Sequence, residues 1–397
     1  MKIAGVNKSL YGHSDYFGAL DGFRGVLALA VAIYHTIWLT HPNQWEFFNN
    51  GPVIIDLFFG FSGFLMYHLY ASKIHDFDSG KTFMKRRLAR IYPLHFFMTF
   101  VLLAYAIFRI FAHHIGLSVH EAGEVLPFQP GAAENIWSLI SNFALLHAAG
   151  TTQALTFNAP SWTVGAEFLV YITFAIMMIF APPRKIWHFG LIALGIVLIY
   201  AGLSQIRPNM DVTYDLGVFR CWAGFMCGVL AARVYPVLLP KFKAWIGSGK
   251  TAWLTFIEAV VLSVSVLFVI YCGGKLQFLV GPVIFMFILF FAFDGGMISK
   301  FMRARPFAYL AKISYSVYLN HFVISSFFAI VAERLLAGYI GRDPSANAWN
   351  GDLLLIVYLI AVVIFSHFTY KFVEVPGGKW IKNSKFLVKP RVKVNPV

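Results

Sequence analysis

Ten apolar stretches run through this 397-residue chain, each long enough to cross a ~30 Å hydrocarbon core as a helix. They span 19–38, 52–72, 91–113, 162–181, 186–204, 217–235, 253–273, 277–294, 308–334 and 351–372. Nothing else in the sequence constrains the fold as strongly. In lipid, backbone N–H and C=O groups must be satisfied within the structure itself, so only helices and closed barrels span. Stretches near 20 residues have the helical length. Charged residues make up only 13% of the chain, about half the ~25% of soluble domains, too few to cover a soluble surface. A soluble enzyme, a disordered chain and a nucleic-acid binder are therefore excluded. The expected architecture is all-α: a polytopic membrane protein, a bundle of about ten transmembrane helices with the lipid bilayer as its partner.

The net charge of +14 then sorts by membrane face. With the N-terminus inside, Arg109, Arg207, Lys275, Arg334 and Arg342 fall outside, and Arg24 and Arg220 fall within spans. Every other Lys and Arg lies on inner loops, tails or inner span ends, which predicts that both termini are cytoplasmic. The 73–90 loop, with Lys73, Lys81, Lys85, Arg86, Arg87 and Arg90, forms a cytoplasmic cation patch. The outer 114–160 loop has no Lys or Arg and carries Glu121, Glu124 and Glu134; within it, 136–148 suits an interfacial or re-entrant helix. Three cysteines in apolar runs read as small core hydrophobes. Asp21 and Arg24 interrupt the first apolar run early, so no cleavable signal is expected. Residues 1–376 read as one transmembrane domain and 377–397 as a short basic cytoplasmic tail, with no appended soluble domain.

Ionisable side chains inside spans are costly and are functional candidates by default. Arg24 and His35, 11 residues apart, share a helix face at ~100° per residue, ~16 Å apart along the axis. His35 is either an acid-base group facing a cavity or a hydrogen-bonding partner of a neighbouring helix. Asp56 either orients and charge-balances His35 or caps its span. Gly60, Ser62 and Gly63 read as close-packing residues. Arg87 and Arg90, at i and i+3, make either a phosphate site or ordinary positive-inside anchors. Pro160 and Ser161 are helix-start signals. Glu167, two turns below the outer boundary, is a charge partner or an acid-base group, and Arg220 is a plausible counter-charge. Ser314, Tyr318 and His321 form a polar stripe along one helix face. His68, His95, His147 and His367 receive no role. His113, His114 and His120 lack a metal-site pattern, and no metal is expected.

Six fragments in order, DGFRGVLALAVAIYH, DLFFGFSGFL, RLARIYP, PSWTVGAEFLVYI, SYSVYLNHF and YKFVEVP, together resemble the integral-membrane acyltransferase family 3 from residue 20 to 376. The resemblance implies an enzyme transferring an acyl group, often acetyl, from acyl-CoA to a hydroxyl of an extracytoplasmic glycan or lipid-linked sugar. Acyl-CoA would be a co-substrate, with no cofactor. The family's Arg-x10-His pattern falls on Arg24 and His35, its Arg-x-x-Arg pattern on Arg87 and Arg90, and its Ser-Trp-…-Glu pattern on Ser161, Trp162 and Glu167. Gly165 and Ala166 stand where many members have Ser and Val, a departure expected to bear on acceptor fit. Some members carry a further C-terminal esterase-like domain, which is not expected here.

On this basis His35, Glu167 and Asp56 are the candidate catalytic residues and Arg24, Arg87 and Arg90 the candidate acyl-CoA ligands. Ser161, Trp162, Arg220, Tyr318 and His321 are candidates for lining the acceptor cavity. His35 has an unperturbed pKa of ~6.5, suited to deprotonating a hydroxyl at neutral pH; acyl transfer through His35 itself is the open variant. The expected location is the bacterial inner membrane. A proton-coupled transporter would need the same intramembrane His, Glu and Arg, but its usual two inverted halves are missing from the pattern of polar sites.

Overall fold

The computed structural model describes residues 17–116, 125–332 and 347–384. Glu121, Glu124, His120, Arg334, Arg342 and the tail beyond 384 lie outside the described residues. Each of the ten apolar stretches coincides with a helix. In chain order the helices are α1 Gly18–Tyr34, α2 Gly51–Tyr70, α3 Phe77–His114, α4 Ile136–Phe143, α5 Trp162–Phe180 and α6 Ile186–Ile206. They continue as α7 Gly217–Gly247, α8 Thr251–Tyr271, α9 Val280–Ala292, α10 Arg305–Ile330, α11 Ala348–Thr369 and α12 Val375–Asn383. Among the described residues nine helices are long and apolar enough to cross a membrane. The 17-residue α1, which carries Asp21 and Arg24, is not among them.

Two elements exceed the sequence reading. The cationic 73–90 segment is not a loop from end to end: from Phe77 onward it is the start of the 38-residue α3, ~57 Å long at 1.5 Å per residue. A capping box starts it, because the Asp76 carboxylate accepts from the Ser79 N–H at 2.8 Å while the Asp76 N–H donates to Ser79 Oγ at 3.1 Å. The chain after α11 continues through a π-helical turn, Tyr370–Glu374, into α12. The residues expected to begin the tail therefore pack on the bundle, with Gly377 against Pro93 and Gly378 against the Ala89 carbonyl.

Small residues set the closest helix approaches. Gly63 lies against the Phe225 backbone and Gly228 against the Gly60 carbonyl, so α2 and α7 touch backbone to backbone, with no room for a Cβ. A Cβ on Gly25 would stand 2.7 Å from the Ala311 nitrogen, which fixes α1 against α10 in the same way. Close van der Waals packing replaces the hydrophobic drive that water would otherwise supply between helices. The short α4 forms within the stretch expected to be interfacial. It turns Ile136, Trp137 and Ile140 outward, each more than half exposed, as a helix lying at a lipid surface would. Cys221, Cys227 and Cys272 are all buried.

Candidate active site

His35 is the residue immediately after α1, so its ring leaves the helix at the end opposite Arg24. Its Nδ1 lies 2.9 Å from the Val31 carbonyl oxygen one turn back and 3.2 Å from His321 Nε2 on α10. The surroundings hold the backbone as well: Ser325 Oγ donates to the His35 carbonyl at 2.7 Å. The Tyr358 hydroxyl bridges the Ala32 and His321 carbonyls at 3.2 and 3.1 Å, joining α11 to both histidine-bearing helices. His321 Nδ1 faces the Val317 carbonyl at 3.3 Å. A carbonyl only accepts, so this pattern assigns the proton to Nδ1 on both rings. His321 then offers its Nε2 lone pair to His35 Nδ1–H. His35 Nε2 is unprotonated and makes no hydrogen bond among the described residues.

Asp56 is not beside His35. It is fully buried and paired with Arg220 on α7 at 2.7 Å. The same guanidinium donates to the carbonyls of Met210 and Pro52, each at 2.5 Å, and of Val212 at 3.3 Å. Trp162 lies under it, 5.4 Å from ring centre to guanidinium carbon. Neither reading of Asp56 describes these contacts: its charge partner is Arg220 and not His35, and Asn50 stands at the N-cap of α2.

Glu167 also makes no contact with His35. Its carboxylate accepts from the Tyr171 hydroxyl at 2.6 Å, and Ser62 Oγ lies 2.8 Å from that hydroxyl. Ser161 and Trp162 are buried. His147 Nε2 is 2.9 Å from the Ser161 carbonyl and 3.2 Å from its Oγ, and His95 stacks on His147 with ring centres 5.5 Å apart. A Cβ on Gly165 would stand 3.0 Å from His147 Cε1, so glycine at this position is matched to that ring. Tyr318 is a strut: it donates to the Pro160 carbonyl at 3.1 Å and accepts from Thr163 Oγ1 at 3.0 Å. Ser314 bonds back to the Ala311 carbonyl at 2.9 Å.

At the opposite end the arginines gather around tyrosines and acids. Arg24 pairs with Asp21 at 3.0 Å. The Arg87 guanidinium lies over the rings of Tyr70 and Tyr171, 5.6 and 6.0 Å from their centres. Arg90 lies over Tyr315 at 5.4 Å and is ion-paired with Glu374, whose other oxygen accepts from Ser316 Oγ at 2.8 Å. Arg87 and Arg90 therefore lie over different rings despite their i, i+3 spacing. The sequence reading passed over Glu374, although an acid inside an apolar run was the available signal. It also passed over a cavity of about 490 Å³ at this end, lined in part by His75, Arg184 and Arg233.

The sequence model of a family described as "Acyltransferase domain" matches residues 17–371. The chain is similar to "Acyltransferase MdmB" of Streptomyces mycarofaciens, 24% identical over 391 residues that cover 90% of each chain. It is also similar to a Staphylococcus aureus (strain COL) protein named "Putative O-acetyltransferase", 23% identical over 95% of this chain and 59% of that one. No solved structure matches.

Proposed function

The chain belongs to the acyltransferase family whose model spans it, and from that premise we propose that it moves an acyl group, acetyl first among candidates, from cytoplasmic acyl-CoA to a hydroxyl of an extracytoplasmic glycan or lipid-linked sugar. It is an integral protein of a bacterial membrane and an acyltransferase that transfers groups other than amino-acyl groups. The observation that carries the finer reading is the pair His35–His321. One nitrogen is committed to a carbonyl, the other is open, and a second imidazole sits where it can share the charge.

His35 Nε2 takes the proton of the acceptor hydroxyl, and the hydroxyl oxygen attacks the thioester carbonyl carbon. The C–O bond forms and the C–S bond breaks. The imidazolium returns its proton to the departing CoA thiolate. While His35 is charged, Nδ1–H still donates to Val31 and to His321 Nε2, so both acceptors stabilise the cation. The phosphates of CoA meet the arginine end, where Arg24, Arg87, Arg90, Arg184 and Arg233 supply cationic surface. The flexible arm of CoA covers the ~16 Å that α1 places between Arg24 and His35. Glu167 acts through Tyr171, which joins it to the ring stack carrying Arg87.

This reading needs ten spans and an inside arginine face in the inner membrane. Cysteine at Asp78, whose side chain is 92% exposed, should resist an impermeant thiol reagent until cells are opened. Cysteine at the exposed Gln129 should react in intact cells, and the reverse pattern overturns the sidedness. The chemistry is tested by incubating purified protein in nanodiscs with labelled acetyl-CoA and whole-cell glycan. Thiol release and label transfer in wild type, both lost in His35→Ala, are expected. Neither reaction in wild type rejects the activity.

A further inference from the structure

A small cavity of about 240 Å³ opens beside Tyr34 at the histidine end, lined by Asn49, Asn50, Asn209, Asp211 and Gln277. Its floor is a relay of amides. Asn50 Nδ2 donates to the Val269 carbonyl, Gln277 Nε2 donates to Asn50 Oδ1, and the Met210 N–H donates to Gln277 Oε1, each at 2.9 Å. These bonds tie the end of α8, the start of α2 and the 207–216 connection into one wall. Behind that wall the Arg220 guanidinium grips Pro52 on one side and Met210 and Val212 on the other. The buried ion pair thus fixes the distance between the two rims.

The rim is left open. The Tyr34 hydroxyl, the Asn49 side-chain amide, the Asn209 side-chain N–H groups and the Asp211 carboxylate make no hydrogen bond among the described residues. Asn49, Asn209 and Asp211 are exposed, so a fixed floor lies beneath donors and acceptors that face solvent and can meet a polar ligand. Hydroxyl, amides and carboxylate together give and accept hydrogen bonds around one small volume, which matches vicinal hydroxyls. The volume falls below the ~300–1,000 Å³ typical of drug-sized ligand pockets, so it suits a single ring. Asp211 is the sole formal charge among the lining residues, which disfavours an anionic ring. Tyr34 precedes His35, and their rings meet edge-on with centres 4.7 Å apart.

We propose that this cavity, formed by Tyr34, Asn49, Asn209 and Asp211 over the Asn50–Gln277 floor, binds a neutral, hydroxyl-rich sugar ring and presents it to His35. The proposal rests on the acyltransferase reading for its purpose, but the binding can be measured without any turnover.

Saturation-transfer NMR on the full chain in nanodiscs would use methyl glucoside, galactose and N-acetylglucosamine as neutral probes and glucuronate as the anionic one. At least one neutral sugar should give a signal in wild type, with glucuronate roughly fivefold weaker or more. Asn49→Ala and Asp211→Ala should each lower the neutral-sugar signal by roughly fivefold, the worth of about one hydrogen bond. Asp211→Ala should also narrow the gap to glucuronate, while CoA affinity, read at the other end of the bundle, is unchanged. No signal from any neutral sugar, or signals equal in wild type and both variants, overturns the proposal. Sugar binding without acetyl-CoA turnover would instead keep the site and reject the acyltransfer reading.

Discussion

Two ionisable pairs of this bundle, Asp56–Arg220 and His35–His321, are built differently. Asp56–Arg220 is closed. Both side chains are fully buried, and the guanidinium reaches the carboxylate and three backbone carbonyls. His35–His321 is incomplete. His321 is buried, but His35 is only partly so, and after Val31 and His321 have taken Nδ1 its Nε2 is left over. An ionisable group in a membrane protein is expensive in either case. A saturated pair returns that cost as a fixed geometry, whereas an unsaturated one keeps a lone pair for chemistry. The sequence offered Asp56 and His35 together as catalytic candidates and does not separate the two; the count of spent hydrogen bonds does.

The comparison breaks most directly at His35. His35→Ala should lower acetyl transfer by roughly 10²–10⁴-fold, the usual worth of a general base, with thermal stability in detergent near that of wild type. Activity within twofold of wild type in intact protein would put the chemistry elsewhere. At the closed pair the loss should appear in folding. Asp56→Ala leaves a buried guanidinium unpaired and should cost about 3–5 kcal/mol of stability, seen as collapse of the monodisperse fraction after extraction. The double replacement Asp56→Leu with Arg220→Met should recover part of it. A well-folded, inactive Asp56→Ala protein would instead make Asp56 catalytic and erase the distinction.

A smaller effect sharpens the open pair. If His321 accepts from His35 Nδ1–H, then His321→Ala should lower kcat by roughly tenfold to a hundredfold, the ~1.5–3 kcal/mol of a hydrogen bond to a charged group. His321→Gln, which keeps an acceptor, should restore part of it, and the acidic limb of the pH–rate profile should move in His321→Ala. Equal losses for Ala and Gln with an unmoved profile would reduce His321 to packing.

Much of the fold was legible because membrane insertion leaves a strong linear record. Each apolar stretch of about 20 residues became a helix, and Gly60 and Gly63 fell at the tightest crossing. The limits of the extended helices were not legible. In α3, the start at Phe77 depends on the Asp76–Ser79 capping box, whose polar residues read equally well as loop. At the site, His35 and the arginine end could be named from spacing, but partners could not. Arg220 lies 164 residues from Asp56 and His321 lies 286 from His35. No local period reports such a pairing. Glu374 stood out as an acid in an apolar run, but its pairing was hidden by the same effect, since its partner Arg90 is on a helix far away in sequence.

The smallest expected effects lie at the arginine end, where Arg87 and Arg90 lie over different rings. Arg90 is ion-paired with the buried Glu374 and lies over Tyr315, whereas Arg87 is described by ring contacts with Tyr70 and Tyr171. Removing Arg90 should therefore lower both CoA affinity and stability, because it leaves a carboxylate buried without its cation. Removing Arg87 should lower CoA affinity as well. For Arg87→Ala, CoA affinity by calorimetry should fall roughly tenfold, near the lower bound for a hydrogen bond to a charged group. Arg87→Lys keeps the charge and loses the planar fork that stacks on the rings and grips a phosphate, so its loss should be a fraction of that. The order Ala, then Lys, then wild type in affinity, with melting temperatures alike, would identify a phosphate ligand. Equal CoA affinity in wild type and the Arg87→Ala, Arg90→Ala double variant would leave both arginines as anchors of membrane orientation, and the donor's phosphates would have to be sought in the cavity lined by His75, Arg184 and Arg233.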